Sequence, residues 1–163
     1  MDENTKNRKP LRLKHYDYSH QGLYFVTICT NKKLCLYGKI NNDKILLNDA
    51  GCMLETCWHD LSTRFNSIGL HEFVVMPNHF HGIIELKKND SILGEIIGAY
   101  KSITTNQYIN GVKENNWLPF DYRLWQRNYY EHVIRNEVSH QKITDYIEHN
   151  PAKWCDDKYF AKY

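Results

Sequence analysis

No two cysteines in this chain form a CxxC pair. Cys29, Cys35, Cys52, Cys57 and Cys155 are odd in number and scattered, which argues against a zinc knuckle or a disulfide frame and predicts reduced thiols. Nor does any apolar run approach the roughly 20 residues needed to cross a bilayer. The opening MDENTKNRKPLRLKHYDYSH is too polar for a signal peptide. Together these absences predict a soluble cytoplasmic protein. A strong charge of one sign is missing too: the net charge of +2 is too small to announce nucleic-acid binding by itself. Internal repeats and low-complexity tracts are absent. What is plentiful is aromatic surface, 13% of residues with 12 Tyr, which suits base stacking and ordinary core equally. At 163 residues the chain fits one domain, 1–163, that can bury a core; residues 1–20 read as a basic extended arm.

The hydrophobic patterning gives an element order. After Gly22, LYFVTICT is a strand of β-branched and aromatic residues. LCLYGKI and KILL flank the turn-forming Asn41-Asn42-Asp43 and predict a hairpin. From Asn48 the period becomes helical, with Met53, Cys57 and Leu61 in one stripe widened by Leu54, Trp58 and Phe65. HEFVVM and HFHGIIEL predict two strands separated by Pro77-Asn78, since Pro cannot donate to a ladder. A helix capped by Asp90 or Ser91 and lined by Ile92, Ile96, Ala99, Tyr100 and Ile103 follows, then a loop over 110–121. RLWQRNYYEHVIR reads as a fourth strand. Asn136 caps a last helix bearing Val138, Ile143, Tyr146 and Ile147, stopped at Asn150-Pro151. Setting aside the hairpin and the last helix leaves βαββαβ, an α+β, ferredoxin-like antiparallel sheet with helices on one face.

Within that frame VVMPNHFHGIIEL, residues 74–86, is unusual. Alternation puts His79, His81, Ile83 and Glu85 on one face of a strand and Phe80, Gly82, Ile84 and Leu86 on the other. The latter set faces the core. The two imidazoles stand roughly 7 Å apart along the strand, from a rise of ~3.3 Å per residue, and slight curvature lets them converge on one cation. The bland alternative is a pair of half-buried polar residues on a solvated sheet face.

A second signal comes from KITDYIEHNP, residues 142–151. Tyr146 and Asn150, four apart, share a helix face. A phenol with an ordinary pKa near 10 is protonated at neutral pH and needs a polarised electrophile. A cation on a phosphodiester supplies that, and Asn150 can offer it an oxygen. Taken singly, Tyr146 could be core and Asn150 a helix end. His149 and Glu148 stand beside Asn150 as alternative ligands. Tyr129 and Tyr130 must face opposite ways, with His132 beside Tyr130.

MPNHFHGII, WQRNYYEHVIRNE and DYIEHNP resemble, in order and spacing, the single-tyrosine transposases of the HUH nuclease superfamily, and most closely the REP-associated tyrosine transposase branch. The likeness runs from GLYFVTICT to NPAKW. It implies a ferredoxin-like fold and a divalent-metal site, Mg²⁺ or Mn²⁺, built on His79 and His81 with Asn150 as third ligand. It also implies that Tyr146 attacks single-stranded or hairpin DNA, leaving a 5′-phosphotyrosine and a free 3′-OH. Relatives form dimers, some completing the site across two chains, so a homodimer is an available assembly. Basic candidates for the DNA backbone are Arg8, Lys9, Arg12 and Lys14 of the arm, Lys87 and Lys88 after the histidine strand, and Lys101 in the second helix. A rival reading is a domesticated, non-catalytic nucleic-acid-binding module on the same fold. A zinc hydrolase without a covalent step is disfavoured by the absence of HExxH or a cysteine cluster.

Overall fold

The computed structural model describes residues 20–163. Its frame is a four-stranded antiparallel sheet in the order β4-β5-β1-β6. The strands are β1 (Gly22–Cys29), β4 (Ile68–Met76), β5 (His79–Leu86) and β6 (Tyr130–Ile134). A separate hairpin, β2 (Gly38–Asn41) and β3 (Lys44–Leu47), interrupts the path from β1 to the first helix, α1 (Asp49–Arg64). The second helix, α2 (Leu93–Glu114), joins β5 to β6, and α3 (Glu137–His149) follows β6. The α+β, βαββαβ expectation with its hairpin insert and C-terminal helix is met. Among the described residues no helix is long and apolar enough to cross a membrane.

The core-facing set Phe80, Ile84 and Leu86 lies where alternation puts it, under α1 and α2, packed with Trp58, Tyr100 and the Tyr24, Val26 and Ile28 face of β1. Gly82 belongs to that face for a steric reason. A Cβ there would come within 2.8 Å of both the Trp58 indole and the Phe80 ring, so the indole rests on bare backbone. Asn48 starts α1 by accepting from the Gly51 amide, and Asn136 starts α3 by accepting from Ser139, which satisfies otherwise unpaired helix donors.

Four expectations need correction. Residues 110–114 are helix, not loop: α2 runs to Glu114 because Gly111 has no side chain and Trp117 folds back against it, its amide bonding the Gly111 carbonyl. Neither Asp90 nor Ser91 caps α2; Ile92 stands at the cap with no side-chain bond. The fourth strand is limited to Tyr130–Ile134. Upstream, Trp125 makes only an isolated bridge to Thr30 and turns inward to donate to Thr104 Oγ1 at 2.9 Å, so the chain there does not continue the ladder. Finally, Val138, expected with Ile143 and Ile147 in the apolar set of α3, is exposed. The rest of that set covers the histidine face of the sheet, with Ile147 packing on Phe25, Ile83 and Ile134, which rules out the bland alternative of a solvated face.

Replacing Gly82 by Ala should cost about 1–3 kcal/mol, the usual range for overpacking a filled core, seen as a lower urea midpoint at unchanged slope. An unchanged midpoint would mean the Trp58 and Phe80 rings yield freely.

Candidate functional site

The two imidazoles sit at the start of β5, wholly buried, with ring centroids 4.6 Å apart. What orients them is their Nδ1 atoms. Asn78 Nδ2 donates to two main-chain carbonyls, Lys33 at 3.2 Å and Tyr159 at 2.8 Å. Carbonyls only accept, so the amide's orientation is set and its Oδ1 can only accept. His79 Nδ1, 2.8 Å from that Oδ1, must therefore carry the proton. Its Nε2 is left with a lone pair, buried and without a hydrogen-bond partner. His81 Nδ1 lies 2.8 Å from Thr27 Oγ1 on the adjacent strand, so its Nε2 also faces the opposite way, into the site. Burial holds the His79 imidazole down at about 4, against the pull of Asp157, and holds His81 well below its ordinary value. Both rings are neutral at pH 7, the state in which imidazole binds a cation.

Helix α3 brings Tyr146 and Asn150 to the same place. The Tyr146 hydroxyl is 3.4 Å from His81 Nε2 and its ring is 5.2 Å from the imidazole. Asn150 is buried and donates through Nδ2 to Asp157 Oδ2 at 2.8 Å, while its Oδ1 has no hydrogen-bond partner. Burial pushes the Tyr146 phenol up to about 12, reinforced by the Asp157 charge and Tyr159 and opposed by the nearby Asn150 amide.

The carboxylate is the residue that the sequence reading missed. Past Asn150 the chain makes a 3₁₀ turn, Pro151–Asp156, and then doubles back over the histidines. Trp154 stacks 6.1 Å and Tyr159 lies 4.7 Å from the His79 ring. Asp157, its side chain only 2% exposed, stands 4.0 Å from His79 Nε2. His79, His81 and Asp157 each offer a donor atom within 4.8 Å of the others. Two imidazole nitrogens, a carboxylate and an orphaned amide oxygen make a donor set that fits a divalent cation. The sequence signal, Asp156-Asp157 in WCDDKYF, was visible but carries no periodicity to say where it points.

Around this centre opens a cleft of about 640 Å³ lined by Phe25, Tyr130, His132, Lys142, Tyr146 and Lys158 among others. Tyr130 and His132 thus share the site's face, whereas Tyr129 packs against the main core. Lys142, Lys153 and Lys158 border the cleft, and none of them was expected to. The expected basic residues behave differently. Lys87 and Lys88 are exposed beyond Leu86, at the far end of β5 from His79. Lys101 is pinned, donating to the carbonyls of Gln126 at 2.6 Å and Arg127 at 3.0 Å, so it braces the loop before β6. Arg8, Lys9, Arg12 and Lys14 lie outside the described residues. Glu148 and His149 are exposed on α3, and His149 Nδ1 bonds the Asp145 carbonyl; neither stands beside the imidazoles as Asn150 does.

Comparison with known proteins is consistent across three kinds of relative. The family model for IS200-like transposases matches residues 17–150. An uncharacterised protein of Haemophilus influenzae is 37% identical over 176 aligned positions, covering 95% of this chain and 94% of that one. A second protein from the same organism, provisionally named a REP-associated tyrosine transposase, is 28% identical and covers 84% of this chain and 74% of its own length. Among solved structures, a REP-associated tyrosine transposase bound to a REP hairpin superposes with a TM-score of 0.61 at 23% identity, over 87% of this chain and 74% of that one. A Deinococcus radiodurans protein provisionally named a transposase gives 0.53 at 18% identity, over 84% of this chain and 96% of that one.

The hydrogen-bond pattern makes a direct spectroscopic prediction. Long-range ¹H–¹⁵N spectra at neutral pH and without metal should find His79 as the Nδ1–H tautomer, and Asn78→Ala should release that preference. A His79 ring protonated on Nε2 would contradict the assigned amide geometry.

Proposed function

The chain belongs to the IS200-like transposase family, and from that premise we propose that it cuts and rejoins single-stranded or hairpin DNA through a covalent tyrosine intermediate. The observation that carries the reading is convergence within one chain: Tyr146 Oη, the Nε2 atoms of His79 and His81, Asn150 and Asp157 meet at one cleft. In this reading residues 1–163 work as one cytoplasmic domain, with the basic arm and the cleft lysines engaging DNA.

Each group has a role that its surroundings favour. Tyr146 Oη attacks phosphorus and gives up its phenolic proton to solvent, the P–O3′ bond breaks, and the departing 3′ oxygen takes up a proton in turn. The products are a 5′-phosphotyrosine and a free 3′-OH, and attack by a 3′-OH on the phosphotyrosine reverses the step. His79, His81 and Asp157 would hold a divalent cation, Mg²⁺ or Mn²⁺, with Asn150 adding its Oδ1 or steadying Asp157 through Nδ2. A bound cation would draw charge from the phosphoryl oxygens, which is what a phenol held near 12 requires of its electrophile. The imidazole pair favours Mn²⁺ over the harder Mg²⁺. Lys142, Lys153 and Lys158 supply the positive rim along which a phosphate backbone can lie. Tyr130, 41% exposed at the same rim, offers a face for an unpaired base. The likeness to a transposase solved with a REP hairpin supports hairpin DNA as the substrate form.

Incubation with Mn²⁺ and end-labelled hairpin DNA should give a protein–DNA adduct that survives denaturation. Tyr146→Phe should abolish it while leaving hairpin binding intact. An adduct that persists in Tyr146→Phe would move the nucleophile elsewhere. Hairpin binding with no adduct, indifferent to EDTA and to His79→Ala, would favour the non-catalytic binder. Asn78→Ala should weaken Mn²⁺ binding roughly 10–100-fold, the usual effect of removing a group that orients a ligand, measured by calorimetry.

A further inference from the structure

A second cluster of metal-binding side chains lies on the same sheet face, at the outer strand and away from Asp157. The register of β4 against β5 shifts between Leu70 and Phe73. Leu70 and Phe73 both pack into the main core. The two residues between them, His71 and Glu72, are consequently both turned toward α3, where a regular strand would send one to each face. Opposite them, in the first turns of α3, stands His140. One donor atom from each of His71, Glu72 and His140 lies within 4.8 Å of the others. The His71 and His140 rings are 6.0 Å apart, nearly perpendicular.

Two of the donors are conspicuously unpaired. His140 Nε2 and Glu72 Oε2 are buried atoms without a hydrogen-bond partner. They face each other at 3.9 Å, too far for a hydrogen bond. A tetrahedral cation with ligand bonds of about 2.0–2.1 Å holds its donors about 3.4 Å apart, a contraction that partly exposed side chains can make. Glu85 Oε2 lies 3.2 Å from His71 Nε2, adding a second carboxylate at the edge of the set. Two imidazoles with one carboxylate form a donor set suited to Zn²⁺.

We propose that His71, Glu72 and His140 form a second cation site, of the zinc class, that ties the bulged edge strand β4 to the start of the helix carrying Tyr146. The site is independent of the cleft chemistry, since it shares no side chain with His79, His81, Asn150 or Asp157. Its role is positional: an ion there fixes the N-terminal end of α3 against the sheet.

Metal-free full-length protein titrated with Zn²⁺ by calorimetry, with bound metal counted after desalting, tests this. His140→Ala, His71→Gln and Glu72→Gln should each bind one equivalent fewer than the parent. Each should also show a smaller Zn²⁺-induced rise in melting temperature, while melting with the parent in EDTA. With Co²⁺ in place of Zn²⁺, the visible absorption of a low-symmetry four-coordinate ion should weaken in all three. Three substitutions on two elements guard against one variant misfolding. If all three bind as many equivalents as the parent, the cluster is no more than a pair of ion contacts and the proposal fails.

Discussion

A single amide governs the geometry of the candidate site. Asn78 sits in the turn between β4 and β5, is buried, and uses every polar atom of its side chain: both carbonyl partners on Nδ2, His79 on Oδ1. Those three bonds do separate things. The one to His79 aims a lone pair into the site. The one to Tyr159 anchors the segment that carries Asp157. The one to Lys33 fixes the loop after β1, beside which Thr30 also bonds the Asn78 carbonyl at 2.9 Å. A buried amide left with any of these unmade would be costly, so the turn, the returning tail and the imidazole orientation are set together.

The electrostatic consequence is a site poised for a positive guest. Two neutral imidazoles, an orphaned amide oxygen and a buried carboxylate concentrate lone pairs where no water-facing group dilutes them. Such a collection is expensive to bury unless something cationic satisfies it. The same carboxylate raises the neighbouring phenol, so whatever neutralises Asp157 also eases ionisation of Tyr146. The lysines at the cleft border stay outside this inner set, which separates the groups that would attract a backbone from those that would act on it.

Much of this was legible in the residues. Period-two alternation placed Phe80, Ile84 and Leu86 in the core and His79 and His81 on the other face. Helical spacing put Tyr146 and Asn150 on one side of α3, and three short blocks pointed to the family. The losses have physical causes. Asp157 follows a 3₁₀ turn, where no regular period relates position to direction. Asn78 read as a turn former, because a hydrogen-bonding role between distant segments leaves no local pattern. Trp125 and Trp117 each overrode local signals: one pulled a strand-like run into the core, the other folded onto Gly111 and let a helix continue. The bonds of Lys101 to the Gln126 and Arg127 carbonyls span twenty-five and twenty-six residues and leave no local pattern either.

The returning segment makes the donor set hang on a stretch outside the sheet and the three helices. The frame is complete before Pro151, yet the carboxylate of Asp157 and the aromatic cover of Trp154 and Tyr159 come from the residues that follow. Losing that stretch would strip the imidazoles of their carboxylate and leave the Asn78 amide short of one acceptor. Damage to the tail would therefore be felt twice, in the charge of the site and in the turn that aims its histidines.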